Sequence, residues 1–125
     1  MSRVLLVAAG GALGSALRYL VATAALTWLG PSFPWGTLAV NLVGSFLIGV
    51  VQQAATEALV IGEEARLFLT TGVMGGLTTY SAFSYESARL MQAQAWTTAW
   101  IYVLVTTVAC IALCLLGIAV ARGLR

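Results

Sequence analysis

The chain has 125 residues, 61% of them hydrophobic and 8% charged, with a formal net charge of +2 and a mean hydropathy of +0.98. Soluble domains carry about 25% charged residues, so this composition describes an integral membrane protein and leaves no room for a soluble enzymatic domain. Six arginines stand against four glutamates with no lysine, aspartate or histidine, which excludes a polybasic patch for nucleic acid and the histidine or paired-carboxylate chemistry of an enzyme.

Four apolar blocks of about 20 residues or more are each long enough to cross the hydrocarbon. The expected spans are Val4 to Leu29, Trp35 to Ala58, Leu67 to Met91 and Trp96 to Ala121, one four-helix transmembrane domain over residues 1–125. "MSRVLLVAAGGALGSA" has the basic start and small residues of a signal peptide, but its apolar pattern runs on to Leu29, which marks an uncleaved first helix. "GPSFP" stops that helix, "TEALVIGEEAR" separates the second span from the third, and "QAQ" leads into Trp96, a residue type of the membrane interface. Four spans put both termini on one side, with Arg3, Arg66, Arg122 and Arg125 there and Arg89 opposite. This bias favours cytoplasmic termini and is small enough to leave insertion in both orientations open.

In the first span, "GGALGSALRY" sets Gly10 and Gly14 four apart, a close-packing surface, with Arg18 one turn further on the same face. An arginine there either snorkels to an interface or faces a wet cavity, a partner chain or an anion path. In the second, "GTLAVNLVGSFLIG" puts Asn41 and Ser45 on one face beside Gly44. The Asn41 amide either bonds another helix or donates to something passing. In the third, "GVMGGLTTYSAFS" holds three glycines and five hydroxyl side chains. Non-helical backbone at membrane depth is tolerated only where protein or a water-filled cavity buries it, so Gly75, Gly76, Thr78 and Thr79 are the expected place for this helix to unwind, near the midplane.

The half-helix before such a break presents carbonyls, which suit a cation, and the half after it presents N–H groups, which suit an anion. Close helix packing accounts for the glycines but not for the hydroxyls. Glu86 follows near the exit of the span. In the fourth span Thr98, Tyr102, Thr106, Cys110 and Cys114 recur every fourth residue, a polar stripe on an otherwise Val, Leu and Ile helix. The two cysteines, four apart on one helix, do not suit a mutual disulfide and read as small core residues. Hydroxyls, one amide, N–H groups and aromatic ring edges suit a small anion. The small-residue faces point to self-association.

Taken together, "GGALGSALRY", "GTLAVNLVGSFLIG" and "GVMGGLTTYSAFS", in this order and spacing, resemble the CrcB/Fluc fluoride channels over nearly the whole chain. The resemblance implies an all-α membrane protein with four transmembrane helices per subunit, the third broken near the midplane, assembled as an antiparallel dual-topology homodimer. It implies passive, selective export of fluoride across the cell (inner) membrane, relieving toxicity, through two pores at the subunit interface. It also implies a structural, non-transported sodium ion held by the backbone carbonyls of Gly75 and Thr78 from both subunits.

Carried over by position, the fluoride pore comprises Asn41, Tyr80, Ser81, Phe83, Ser84, Tyr102, Thr106, Cys110 and Cys114, with Arg18 and Glu86 as vestibule or structural residues. The implied partners are fluoride, membrane lipid and a second copy of the chain or a paired homologue, with no nucleic acid. The chain departs from the family's "TFSTFS" pattern at Tyr80, usually phenylalanine, and at Ala82, usually threonine. Two rivals compete. A small multidrug transporter needs an acidic residue in the first span, where this chain has Arg18, and a structural membrane subunit would use the glycines and hydroxyls only to pack.

Overall fold

The computed structural model describes residues 2–57 and 61–124. Among them every regular element is helical. Helices α1 (Ser2–Leu29), α2 (Trp35–Thr56) and α6 (Trp96–Gly123) are each long and apolar enough to cross a membrane. Each agrees with its expected span to within one turn at either end, although Ala58, the expected end of the second, lies outside the described residues. The protein is a multi-pass membrane protein. Helix α1 stops where Gly30 takes a positive φ of 81°, a left-handed conformation that glycine adopts without a Cβ clash.

The third apolar segment is a series of short pieces. It runs through α3 (Glu63–Leu67), a π-helical stretch (Phe68–Met74), α4 (Gly75–Leu77) and, after Thr78 and Thr79, α5 (Tyr80–Gln92). Thr78 has φ −84° and ψ 154°, and Thr79 has φ −153° and ψ 119°, both extended. The break expected over Gly75 to Thr79 therefore falls on the two threonines, and both glycines stay helical. β-Branched threonine is at ease in extended backbone. Gly76 serves proximity instead: a Cβ there would lie 2.5 Å from the Gly11 carbonyl oxygen.

Helix α1 packs on the π-helical stretch and α4, while α2 packs along α6. The α1 contact depends on Gly14, where an added Cβ would sit 2.1 Å from the Val73 carbonyl oxygen. Two buried apolar clusters surround the break. Val40, Val73, Met74 and Leu77 join α2 to the segment before it, and Leu38, Phe83 and Tyr102 join α2, α5 and α6 after it. The ion pairs Arg3–Glu63, at 3.2 Å, and Arg122–Glu57, at 3.9 Å, gather the ends of four elements at one end of the bundle. Both arginines are largely exposed, so these pairs contribute at most about 1 kcal/mol each.

Gly14→Ala is expected to lower stability by about 1–3 kcal/mol through overpacking, read as a lower unfolding midpoint of the detergent-solubilised protein. Gly11→Ala is the control, since a Cβ there meets nothing within 4 Å, and an equal loss in both variants would discount the contact.

Candidate functional site

In a continuous helix each N–H bonds the carbonyl four residues back. At the break these bonds are redirected. The Thr79 N–H donates to Asn41 Oδ1 at 2.8 Å, and Asn41 Nδ2 donates to the Thr79 carbonyl at 3.1 Å. One side-chain amide thus clasps both polar groups of one unwound peptide residue. The Ala82 N–H donates to Thr79 Oγ1 at 3.1 Å, so Thr79 also caps α5. Arg18 Nε donates to the Gly76 carbonyl at 3.0 Å.

These substitutions leave two carbonyls without their helical donors. Gly75 would receive the Thr79 N–H, which Asn41 has taken, and Thr78 would receive the Ala82 N–H, which the Thr79 hydroxyl has taken. Both are hard oxygen donors near the carbonyl end of the helical run that begins at Glu63, where the backbone dipole is negative.

Beside the clasp lies a cavity of about 340 Å³ lined by Asn41, Ser45, Thr78, Thr79, Tyr80, Phe83, Thr106, Thr107, Cys110 and Ile111. Five of the expected pore residues, Asn41, Tyr80, Phe83, Thr106 and Cys110, meet here. The Tyr80 ring is 79% exposed and lies 5.4 Å from that of Phe83, which in turn lies 5.2 Å from Tyr102. Ser81, Ser84 and Cys114 do not line this cavity. The break starts α5 at Tyr80 and turns Phe83 and Ser87 inward, which leaves Ser81 and Ser84 exposed. Ser81 Oγ approaches Thr79 Oγ1 at 3.2 Å, and the Ser84 hydroxyl donates to the Tyr80 carbonyl of its own helix at 2.9 Å. Cys114 is half-buried and sets its carbonyl against Gly49.

A second cavity, of about 460 Å³, opens between the end of α1, the following turn and the far half of α5, and includes Phe33, Thr37, Glu86 and Arg89. Thr37 Oγ1 donates to Glu86 Oε1 at 2.6 Å. Tyr102 packs against one aromatic residue of each cavity. Its ring is fully buried and packs on Phe33 of the larger cavity at 5.4 Å and on Phe83 of the smaller. The hydroxyls of Tyr102 and Thr106 are buried without a hydrogen-bond partner among the described residues. Arg18, expected in a vestibule or in a structural role, lines neither cavity and holds the backbone of α4.

The Asn41 amide makes the interhelical bond that was one of its two sequence readings. Thr37 and Thr79 were absent from the expected site. Thr37 was detectable as the residue one turn before Asn41 on the same face, and Thr79 as the hydroxyl three residues before Ala82, an N-cap spacing.

The family model described as CrcB-like protein, Camphor Resistance (CrcB), matches residues 5–118. The chain belongs to the CrcB family. Among its relatives are the fluoride-specific ion channel FluC of Agrobacterium fabrum, 47% identical over 124 residues and 99% of each chain, and FluC of Rhizobium etli, 45% identical over the same length and coverage. FluC of Rhizobium meliloti is 53% identical over 92 residues, 74% of each chain. The apolar helices and the ion-channel relatives place this CrcB protein in a cell membrane, and the matched stretch includes the clasp and both cavities.

Replacing Asn41 by leucine strands the Thr79 N–H and carbonyl, each at a cost of about 1–3 kcal/mol if no water replaces the bond. Asn41→Leu is therefore expected to lower the unfolding midpoint well beyond Ser45→Ala, and equal midpoints would show that the clasp is dispensable.

Proposed function

We propose that this CrcB chain is a fluoride-selective channel that lets fluoride leave the cytoplasm passively, with two pores in an antiparallel dual-topology homodimer. The observation that carries the proposal is the cavity beside the clasp, whose lining offers hydroxyls, one amide, a thiol and aromatic edges and no charged side chain. It lies within a chain whose full-length relatives are named fluoride-specific ion channels. Fluoride is small and tightly hydrated, so its water must be replaced by short-range donors, and neutral donors bind it weakly enough to release it.

The route runs from the larger cavity, past Tyr102 and Phe83, to the smaller one. The Thr106 hydroxyl, buried without a hydrogen-bond partner among the described residues, donates to the ion, the Tyr102 hydroxyl does so from beside Thr37 and Glu86, and the edge of the Phe83 ring offers its positive rim. The bond from Thr37 occupies Glu86 Oε1 and so reduces the repulsion that the carboxylate would exert on an anion. Tyr80, exposed in one chain, stands at the mouth facing the second copy. Ser81, Ser84 and Cys114 extend the lining once that copy is in place.

The carbonyls of Gly75 and Thr78 would hold a structural sodium ion, two oxygens from each copy. The fit rests on the donor set, hard neutral oxygens whose helical partners have been drawn off by Asn41 and Thr79. Bound sodium supplies the positive charge that ties the broken segments of two copies together. Asn41 and Arg18 hold the carbonyl-bearing backbone in position.

Vesicles containing the purified chain alone are expected to release fluoride, read with a fluoride electrode, without releasing chloride. Absence of release from a folded dimer would favour a structural subunit, and release restored by a paired homologue would replace the homodimer with a heterodimer. Phe83→Ile is expected to slow release about tenfold while costing no more than about 1.5 kcal/mol of stability. Exchange of sodium for N-methylglucamine is expected to lower the unfolding midpoint and dissociate the dimer, as loss of any native-state ligand does, and unchanged assembly after exhaustive exchange would refute the sodium site.

A further inference from the structure

Gly44 is buried on α2, three residues after Asn41 and on the same face. A Cβ added there would overlap the Thr78 Cγ2 methyl, and within 4 Å it would meet no residue but Thr78 among those described. Gly14 and Gly76, by contrast, lie against the backbone of a neighbouring element. The bare α-carbon of Gly44 is thus a seat for a single methyl group, carried by a residue of the break. The other γ-substituent of Thr78 is held as well. Its hydroxyl donates to the Met74 carbonyl at 2.8 Å, the same acceptor that its N–H reaches at 2.9 Å.

Methyl and hydroxyl share one Cβ and turn together about χ1. In Gly44→Ala, rotating the methyl out of the overlap would take the hydroxyl off Met74, and keeping the hydroxyl bound would leave only the backbone to move. That backbone carries the Thr78 carbonyl, one of the oxygens whose helical donor has been withdrawn. We infer that Gly44 is a positioning residue for the Thr78 carbonyl: by seating the methyl it fixes where that oxygen points toward a sodium ion, an inference that rests on the sodium reading of the break. Outer groups that orient a metal ligand typically govern its affinity by about 10–100-fold.

The methyl can be moved across the contact rather than removed, because Gly44→Ala combined with Thr78→Ser transfers it to α2 and keeps the hydroxyl. Sodium is titrated against N-methylglucamine at constant ionic strength on the detergent-solubilised full chain. The sodium concentration at half-maximal dimer is read beside the unfolding midpoint at saturating sodium. Gly44→Ala is expected to need about tenfold more sodium than wild type, and the double variant to return close to the wild-type requirement. Gly49→Ala is the packing control, since an added Cβ there would overlap the Cys114 carbonyl of α6. It is expected to lower the unfolding midpoint and leave the sodium requirement unchanged. An equal rise in Gly49→Ala, or a double variant as impaired as Gly44→Ala, would each overturn the inference. If Gly44→Ala does not fold, the double variant decides: folding with the wild-type sodium requirement supports the seat, and failure to fold overturns it. Wild type that assembles equally without sodium overturns the sodium reading and this inference with it, whereas a sodium-dependent wild type matched by Gly44→Ala overturns this inference alone.

Discussion

Peptide groups released from a helix inside a membrane have no water to turn to, and each one left unpaired costs several kcal/mol. The pair of bonds between the Asn41 amide and the Thr79 backbone removes that cost at the point where the third apolar segment unwinds. Much of the surrounding structure depends on it. The clasp sets the start of α5 and so turns Phe83 inward. It withdraws the donor that Gly75 would otherwise receive, and it places an amide on the wall of the adjoining cavity. Arg18 makes a parallel contribution from α1 through the Gly76 carbonyl, so an arginine that is costly in an apolar span stabilises the irregular backbone that accompanies it.

Glycine and threonine divide the work around this point. Gly14 and Gly76 bring α1 and the broken segment within backbone contact, as small residues do between membrane helices, where close van der Waals packing replaces the hydrophobic effect. Thr78 and Thr79 carry the extended conformation, and the Thr79 hydroxyl restores a cap to the helix that follows. The two freed carbonyls and the capped helix start then all fall between Gly75 and Tyr80, with cation-favouring oxygens before the capped helix and neutral donors after it.

The arrangement of Tyr102 between two cavities gives the channel proposal a physical form. In that proposal a fully buried ring, its hydroxyl beside Thr37 and Glu86, blocks bulk water yet offers a donor where water is scarce, a combination that favours a small ion able to shed its shell stepwise. A charged lining would bind the ion more strongly and hold it longer.

The sequence by itself determined the apolar helices, because length and hydropathy suffice to say what can cross a membrane, and it determined the CrcB membership through three motifs kept in register. It also marked the third segment for a break, since hydroxyls and glycines at that density do not suit a simple span. Which residues break it was settled by tertiary structure: Gly76 lies bare against the Gly11 backbone of α1, and Thr79 unwinds where Asn41, nearly 40 positions away, receives its N–H and its carbonyl. The four-residue stripe on α6 placed Tyr102, Thr106 and Cys110 on one face, but only packing against α2 and α5 decided that Tyr102 is fully buried against Leu38 and Phe83 while Cys114 lies away from the smaller cavity. The clasp, the Thr37–Glu86 bond and the Arg18 contact all join residues distant in the chain, and partners of that kind are set by which faces meet, a property of the assembled fold that local pattern does not encode.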